Sequence, residues 1–195
     1  RSSATGTTIQ QLNAESNRPG VITLGTGTTS VGSSRASQID AGSTQGSLVL
    51  GGGVLTIQFY CKIPTLSDAG QTFTVSIGLS NTETPAANGL WFQYSHGVNS
   101  GKWQIIAANA SSVTTLDSGV TVDTDWHVYK IVVNAAASAV SYYIDGVETS
   151  NSPNAMDIPT TAISPVVRIT KSVGSTARQI YLDLYTSEYI LTTPR

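Results

Sequence analysis

Residues 126–146 have the sequence WHVYKIVVNAAASAVSYYIDG. β-Branched and aromatic residues dominate both ends of this segment, whereas small residues fill its middle. This pattern predicts two antiparallel strands that are joined by a short turn. The Asp145-Gly146 pair is typical of a second turn, because glycine tolerates positive φ and aspartate bonds to nearby backbone amides. A third strand is therefore expected to begin near Val147.

Successive side chains of a strand point to opposite faces, so the hairpin has two distinct surfaces. His127 shares a face with three apolar residues of the first strand, and we expect it to lie in the core. Lys130 of the first strand and Tyr143 of the second lie on the other face. These two residues are the hairpin's candidates for contact with a ligand.

Many further segments of the chain have the character of short strands. Residues 55–63 form an apolar run, and residues 73–79 alternate between apolar and small polar side chains. Such segments recur at a spacing of roughly 8–12 residues, which is typical of sandwiches and jelly rolls. We predict an all-β, two-sheet antiparallel jelly-roll β-sandwich over residues 21–195, preceded by a polar arm or linker over residues 1–20.

Composition excludes several classes of protein. Ten basic and twelve acidic side chains give a net charge of −2, so nothing favours electrostatic binding to nucleic acid. No apolar run approaches the roughly 20 residues of a membrane span, so we expect no membrane insertion. Cys61 is the only cysteine, which excludes an intrachain disulfide, and its apolar strand predicts a buried, inert thiol.

Six segments between residues 89 and 191 carry a resemblance to a known superfamily. They are GLWFQY (89–94), GKWQ (101–104), DSGV (117–120), WHVYKIVVN (126–134), VSYYIDG (140–146) and RITKSVGSTARQIYLD (168–183). In order and spacing they resemble the concanavalin A-like lectin/glucanase (LamG-like) superfamily. They are most similar to jelly-roll modules of bacteriophage tail fibres, tailspikes and related virion proteins. The resemblance implies a virion location, on a phage tail or capsid surface, or otherwise an extracellular one.

Glucanases of this superfamily carry Glu-x-Asp-x-x-Glu on one strand, where the carboxylates serve as nucleophile and acid/base. The chain has four glutamates, and none of them belongs to such a motif. The jelly-roll lyases instead need a Tyr/His pair with Arg and Gln beside it. The pairs His127/Tyr129 and His96/Tyr94 lack the lyase strand motif, so we expect them to pack rather than react. We therefore predict no catalytic residues and no enzymatic activity.

Two aspartates before the hairpin are weak candidates for a calcium site. Asp123 and Asp125 supply the hard oxygen ligands that Ca²⁺ prefers. Asp-Thr-Asp before a strand is equally ordinary turn chemistry. We expect no metal or other cofactor, with Ca²⁺ as the one alternative.

Aromatic, amide and amine side chains on the second faces of the strands suit a sugar, because rings stack on its C–H faces while polar groups meet its hydroxyls. The predicted carbohydrate-binding residues are Trp91, Gln93, Lys102, Gln104, Lys130 and Tyr143.

Taken together, these features predict a non-catalytic recognition or structural module of a phage particle. Its expected role is that of a tail-fibre or receptor-binding domain that contacts host-surface polysaccharide. The resemblance also implies a homo-oligomer, with a trimer expected, or contacts with other virion proteins. Two alternatives remain open: a capsid or tail decoration protein that serves assembly, and a polysaccharide depolymerase.

Overall fold

A computed structural model describes residues 8–11, 17–18, 20–39, 46–82, 87–110, 112–149, 153 and 157–193. These residues form thirteen strands and one short 3₁₀ turn at Asn99–Gly101. The strands are β1 (Thr8–Gln11), β2 (Ile22–Gly25), β3 (Gly32–Ser37), β4 (Gly53–Lys62), β5 (Phe73–Ser80), β6 (Asn88–Ser95), β7 (Lys102–Asn109), β8 (Ser112–Thr121), β9 (Trp126–Val133), β10 (Val140–Ile144), β11 (Val147–Glu148), β12 (Ser164–Lys171) and β13 (Gln179–Leu191).

The strands form two antiparallel sheets that pack face to face. The seven-stranded sheet has the order β1-β2-β13-β4-β9-β10-β11, and the six-stranded sheet has the order β3-β12-β5-β6-β7-β8. The predicted all-β jelly-roll sandwich is thereby confirmed. Within the described ranges, no helix has the length and apolar character needed to cross a membrane.

The predicted hairpin is present as β9 and β10, with Val140 opposite Val133 and Ile144 opposite Tyr129. The expected third strand follows as β11. Residues 47–50 form an isolated bridge between Leu48 and Ile163 and no strand. Part of the predicted N-terminal arm forms β1 at the edge of the larger sheet, whereas residues 1–7 and 12–16 of that arm lie outside the described residues.

The core lies between the sheets and is built from the alternating apolar residues of each strand. In β4 every second side chain is buried, as expected for a strand with one face in the core. Four aromatic residues, here called the inter-sheet aromatic cluster, link the two sheets at the centre: Phe92 and Trp103 from the smaller sheet, and Tyr129 and Tyr142 from the larger. The Phe92 ring centroid lies 5.4 Å from that of Tyr129 and 5.2 Å from that of Tyr142, both in edge-on geometry.

The Cys61 thiol lies on the core face of β4 and is fully buried, as the sequence predicted. Burial raises the pKa of this thiol far above its usual range. A thiol that stays protonated is a poor nucleophile, so Cys61 packs as a small apolar residue.

The prediction that His127 is a core residue is wrong. Its ring lies at the end of the sandwich between two carboxylates, and its side chain is 16 % exposed. Nε2 donates to Asp123 Oδ1 at 2.8 Å, and Nδ1 donates to Asp145 Oδ2 at 2.6 Å. The second oxygen of Asp145 accepts from the backbone amide of Val128. We call Asp123, His127 and Asp145 the histidine clasp, because they join the start of β9 to the turn that follows β10.

The histidine clasp favours a charged imidazole, since ionised carboxylates only accept and both ring nitrogens must then donate. Burial by itself would lower the pKa of His127, but the hydrogen bonds and negative charges of Asp123 and Asp145 outweigh it, and the pKa is raised. The pKa of Asp123 is lowered, chiefly by its hydrogen bond from His127 and then by the backbone amide of Asp125. Each group thus stabilises the charged form of the other.

Replacing Phe92 with alanine should destabilise the fold by about 3–5 kcal/mol, because the change opens a cavity where the two sheets meet. Chemical denaturation monitored by tryptophan fluorescence would measure this loss. Val147→Ala is the control, since Val147 is 70 % exposed and its truncation should cost less than about 0.5 kcal/mol. Equal effects of the two substitutions would contradict the role given to Phe92.

Replacing His127 with glutamine should lower the melting temperature most at mildly acidic pH. Folding raises the pKa of His127. The charged imidazole therefore contributes fully to the free energy of unfolding below the unfolded-state pKa of about 6.5, and this contribution is lost as pH rises through the folded-state pKa. The pKa of Asp123 is lowered, so its contribution to stability is lost only as pH falls below about 4 and the carboxylate becomes protonated.

Melting curves of the native chain and the His127→Gln variant between pH 5 and pH 9 would test this dependence. The difference in melting temperature should be largest near pH 5–6 and should shrink toward pH 9. His96→Gln removes the other histidine, whose Nδ1 lies 3.2 Å from the Ser67 carbonyl oxygen, and serves as the control. A difference that grows with pH would contradict the charged clasp.

Candidate functional site

Six polar side chains cross the six-stranded sheet in a single line, one from each strand. They are successive cross-strand partners, so they share a face of the sheet. We call this line the polar row, and in spatial order it consists of Arg35, Arg168, Ser76, Gln93, Gln104 and Asp117. With five intervals of about 4.8 Å between neighbouring strands, its backbone positions span about 24 Å.

Alternation along the strands places the polar row on the outer face of the sandwich. Ile169 and Phe92, which are the sequence neighbours of Arg168 and Gln93, are fully buried in the core. A side chain one residue away must therefore point outward. The polar row is thus a feature of the sheet surface, fixed in position by the core on the other side.

One end of the polar row is cationic. Arg35 and Arg168 are directly paired on β3 and β12, and the Arg35 side chain is only 5 % exposed. Two arginines on paired strands make this end of the row positively charged, and a guanidinium group is a planar fork whose shape matches a carboxylate. Ser76, which is also buried, separates this end from the two glutamines.

The other end of the polar row carries an ion pair. Asp117 Oδ2 accepts from Lys102 Nζ at 3.2 Å, and its Oδ1 accepts from the Gly119 amide at 2.7 Å and from Asn99 Nδ2 at 3.0 Å. The pKa of Asp117 is lowered by these bonds, with the Gly119 amide the largest cause, then Asn99, and Lys102 contributing less. Asp117 is therefore ionised at neutral pH.

Trp91 lies beside the polar row and is 3 % exposed. With Ile106 and Ala108 it forms a second apolar cluster, which is separate from the core and lies on the outer face. Its ring leans over Gly89, where an added Cβ would come within 3.1 Å of ring atom Cε3. Trp91 Nε1 donates to Gln93 Oε1 at 3.4 Å, so the indole orients this amide. Because Trp91 is buried, little of its ring surface is open for stacking on a sugar.

The six predicted carbohydrate-binding residues divide between the two outer faces of the sandwich. Gln93 and Gln104 are direct partners in the polar row. Trp91 and Lys102 lie on the same face as those glutamines. Lys130 and Tyr143 lie together on the opposite outer face, where Lys130 Nζ is 4.0 Å from the Tyr143 ring centroid. These two groups cannot contact the same sugar ring.

The two arginines of the polar row were not among the predicted site residues. β3 lies in a segment rich in Gly, Ser and Thr, a composition typical of loops, so the sequence assigns Arg35 to no strand face. Arg168 interrupts the apolar run of β12, and this was the available signal for an outward-facing residue. The pairing of β3 with β12 brings them together, and that pairing is not a local property of either segment.

The weak calcium candidates belong to the turn and to the histidine clasp. Asp123 Oδ1 accepts both from His127 and from the backbone amide of Asp125 at 2.7 Å. Over the part of the chain that the structure describes, no group of three or more His, Cys, Asp or Glu side chains is arranged to hold a metal ion.

Solved structures with this fold include several carbohydrate-active proteins. A Bacteroides ovatus mixed linkage glucan GH16 protein, solved with its G4G4G3G product, has a TM-score of 0.58 and 10 % identity, covering 95 % of this chain and 86 % of its own. The alginate lyase AlyC3, in complex with dimannuronate, has a TM-score of 0.59 and 10 % identity over 89 % and 76 % of the two chains.

A third similar structure comes from a phage. The carbohydrate esterase vb_24B_21 of the Shiga toxin-encoding bacteriophage phi24B has a TM-score of 0.55 and 14 % identity, covering 97 % of this chain and 90 % of its own. At such identities a likeness establishes the fold, here a concanavalin A-like jelly roll, and not the activity.

These neighbours contradict the prediction that the chain is not an enzyme, because most of them are enzymes that act on carbohydrates. The prediction rested on the missing Glu-x-Asp-x-x-Glu motif. That motif belongs to one class of glucanase, whereas this sandwich also supports lyases and esterases, whose catalytic groups differ. Its absence excludes one mechanism and does not exclude catalysis.

No curated protein matches the chain at a significant level. The family model described as SO2946-like, C-terminal domain, matches residues 17–183. This match covers most of the chain, including the polar row and strands β2 to β12. The chain therefore belongs to the SO2946-like C-terminal domain family.

Proposed function

We propose that this domain binds an acidic polysaccharide along the polar row and cleaves it as a depolymerase. The observation that carries the proposal is the sequence of chemical groups along one line of the sheet: paired Arg35 and Arg168, then Gln93 and Gln104. The partly exposed members of the row extend from Arg168 to Asp117 over four strand intervals, or about 19 Å, which is long enough to contact several consecutive sugar rings. A polymer, rather than a single sugar, makes use of such a length.

The cationic end supports an acidic substrate. A guanidinium group forms two parallel, charge-assisted hydrogen bonds with a carboxylate, and such bonds are roughly twice as strong as neutral ones. The glutamine amides offer both donors and acceptors, as sugar hydroxyls require. A sugar carboxylate at Arg168 and hydroxyls at Gln93 and Gln104 match the order of groups along the row.

The polar row contains the cation that assists β-elimination and lacks the carboxylate pair that hydrolysis needs, so we infer elimination with a base from outside the row. Hydrolysis by the common two-carboxylate mechanism needs a pair of acidic side chains about 5–10 Å apart, and Asp117 is the single carboxylate of the polar row. In elimination a base removes the proton on the carbon next to the carboxylate, a C=C bond forms, and the linking C–O bond breaks, with a proton passing to the leaving oxygen. A guanidinium at the carboxylate stabilises the negative charge that develops there. The likeness to an alginate lyase bound to dimannuronate supports this reaction class.

We also propose that the domain acts on a phage particle, with a host-surface polysaccharide as its substrate. Two observations support this location: the resemblance of residues 89–191 to modules of phage tail proteins, and the structural likeness to a phage carbohydrate esterase. Genes for tail or capsid proteins beside the gene for this chain would support it further. A gene neighbourhood of cellular metabolic enzymes would contradict it.

Replacing Arg168 with glutamine should weaken binding to a polyuronate at least tenfold, because the change removes a charge-assisted hydrogen bond of about 1.5–3 kcal/mol. Affinity electrophoresis or calorimetry with polymannuronate or polygalacturonate would measure the loss. Lys130→Gln is the matched control, since it removes the same charge from the opposite outer face. Equal losses in the two variants would show that binding follows net charge and not the polar row.

Incubation of the native chain with the same polyuronates should produce unsaturated ends that absorb in the ultraviolet, and Arg168→Gln should slow their release. A neutral β-glucan, followed by a reducing-end assay, is the parallel substrate. Reducing ends without ultraviolet absorbance would show that the chain cleaves by hydrolysis and not by elimination. Binding without any product would refute the depolymerase and leave the polar row as a recognition surface.

A further inference from the structure

The second half of β13 has one edge without a strand partner among the residues that the structure describes. β2 pairs with β13 only over the four residues from Gln179 to Leu182. A bulge follows at Asp183, and from Leu184 onward β13 continues beside β4 alone. We call residues 184–190 the β13 edge. Within the described ranges no named strand occupies this edge, which makes it a place where a further strand can pair.

The β13 edge also exposes apolar side chains. Leu184 is 49 % exposed and Ile190 is 58 % exposed, and Leu191 follows at 37 %. Leu184 and Ile190 pair with Tyr60 and Val54 of β4, so both lie on the outer face of the larger sheet. Natural edge strands are usually short, or they carry lysine or proline, and these features prevent pairing with another chain. The β13 edge has neither residue, and Glu188 is its single charge.

We propose that two copies of this chain associate by antiparallel pairing of their β13 edges about a twofold axis. The two seven-stranded sheets would then form one continuous sheet. A twofold axis closes the assembly at two copies, because the same edge is used by both partners. The proposal is independent of the polar row, which lies on the other sheet.

The side chains select one register for this pairing. In a continuous sheet, opposed residues must point to the same face, so the axis passes through a residue and not between two. With the axis at Ser187, Leu184 opposes Ile190 of the second copy, and Thr186 opposes Glu188. Both exposed apolar residues are then covered by each other, and the two Glu188 side chains are kept apart.

The two neighbouring registers would give a less stable strand pair. An axis at Glu188 places two like charges directly opposite each other, which destabilises a strand pair. An axis at Thr186 opposes Leu184 with Glu188 and leaves Ile190 beyond the paired segment. Ser187 is thus the predicted centre, and Tyr185 faces Tyr189 of the second copy on the inner side.

A cysteine at position 187 tests both the contact and its register. Opposed residues of antiparallel strands have Cα atoms about 4.5–5.5 Å apart, which lies within the range of a disulfide. Mild oxidation of the Ser187→Cys variant should therefore yield a covalent dimer. Glu188→Cys is the matched control, because its two copies would lie about 8 Å apart, too far to be bridged. The native Cys61 is buried and does not compete.

Light scattering across a concentration series should give the native chain the mass of a dimer. Thr186→Lys, which would face Glu188 of the second copy, should tighten association about threefold or more, and Thr186→Glu should weaken it to a similar degree. Val147→Lys changes an exposed residue at another edge and should have no effect. Circular dichroism would verify that each variant is folded.

Three outcomes would overturn the proposal. A monomeric native chain at all concentrations would remove the contact altogether. A trimer, which the family resemblance implies, would require a different symmetry. Equal cross-linking of Ser187→Cys and Glu188→Cys, both folded, would show that the copies do not meet in this register.

Discussion

Edge-on packing of the inter-sheet aromatic cluster is the contact on which the rest of the molecule depends. Phe92 contributes from the smaller sheet, and Tyr129 and Tyr142 contribute from the larger. Tyr142 also donates from its hydroxyl to the Ile106 carbonyl oxygen at 3.0 Å, so one polar atom in the core joins the two sheets directly. A side chain locked in this core determines the direction of its neighbours in sequence. The outward position of Gln93 follows directly from the buried position of Phe92.

Local sequence predicted the parts of the fold that depend on alternation and turn chemistry. The β9–β10 hairpin and the outward faces of Gln93 and Gln104 are of this kind. Pairing between distant strands is different, because it depends on how all the strands share the core. Arg35 and Arg168 are 133 positions apart in numbering (168 − 35), and only the placement of β12 beside β3 makes them neighbours. The cationic end of the polar row could not be derived from either strand alone.

His127 shows a second limit of reasoning from strand faces. Its face was assigned correctly, since it shares that face with Tyr129 at the start of β9. The error lay in treating the whole face as core, although the sandwich ends at this residue. The hairpin register places the start of β9 beside the turn after β10, where Asp145 is found. A histidine at the end of a strand, next to a turn aspartate, is better interpreted as an ion-pair partner than as a core residue.

The two sheets present different chemical groups to solvent, because their strands are paired to different extents. The six-stranded sheet has a strand partner at every position of the polar row, so its polar side chains are held in order across all six strands. In the seven-stranded sheet, no strand of the described residues pairs with that edge of β13 beyond Leu182, where β2 ends and Asp183 at the bulge forms a 3.0 Å ion pair with Arg18. An ordered polar surface suits recognition of a repeating polymer, because each strand presents one group per interval. An open strand edge suits pairing with another backbone, and its apolar side chains make that pairing favourable in water.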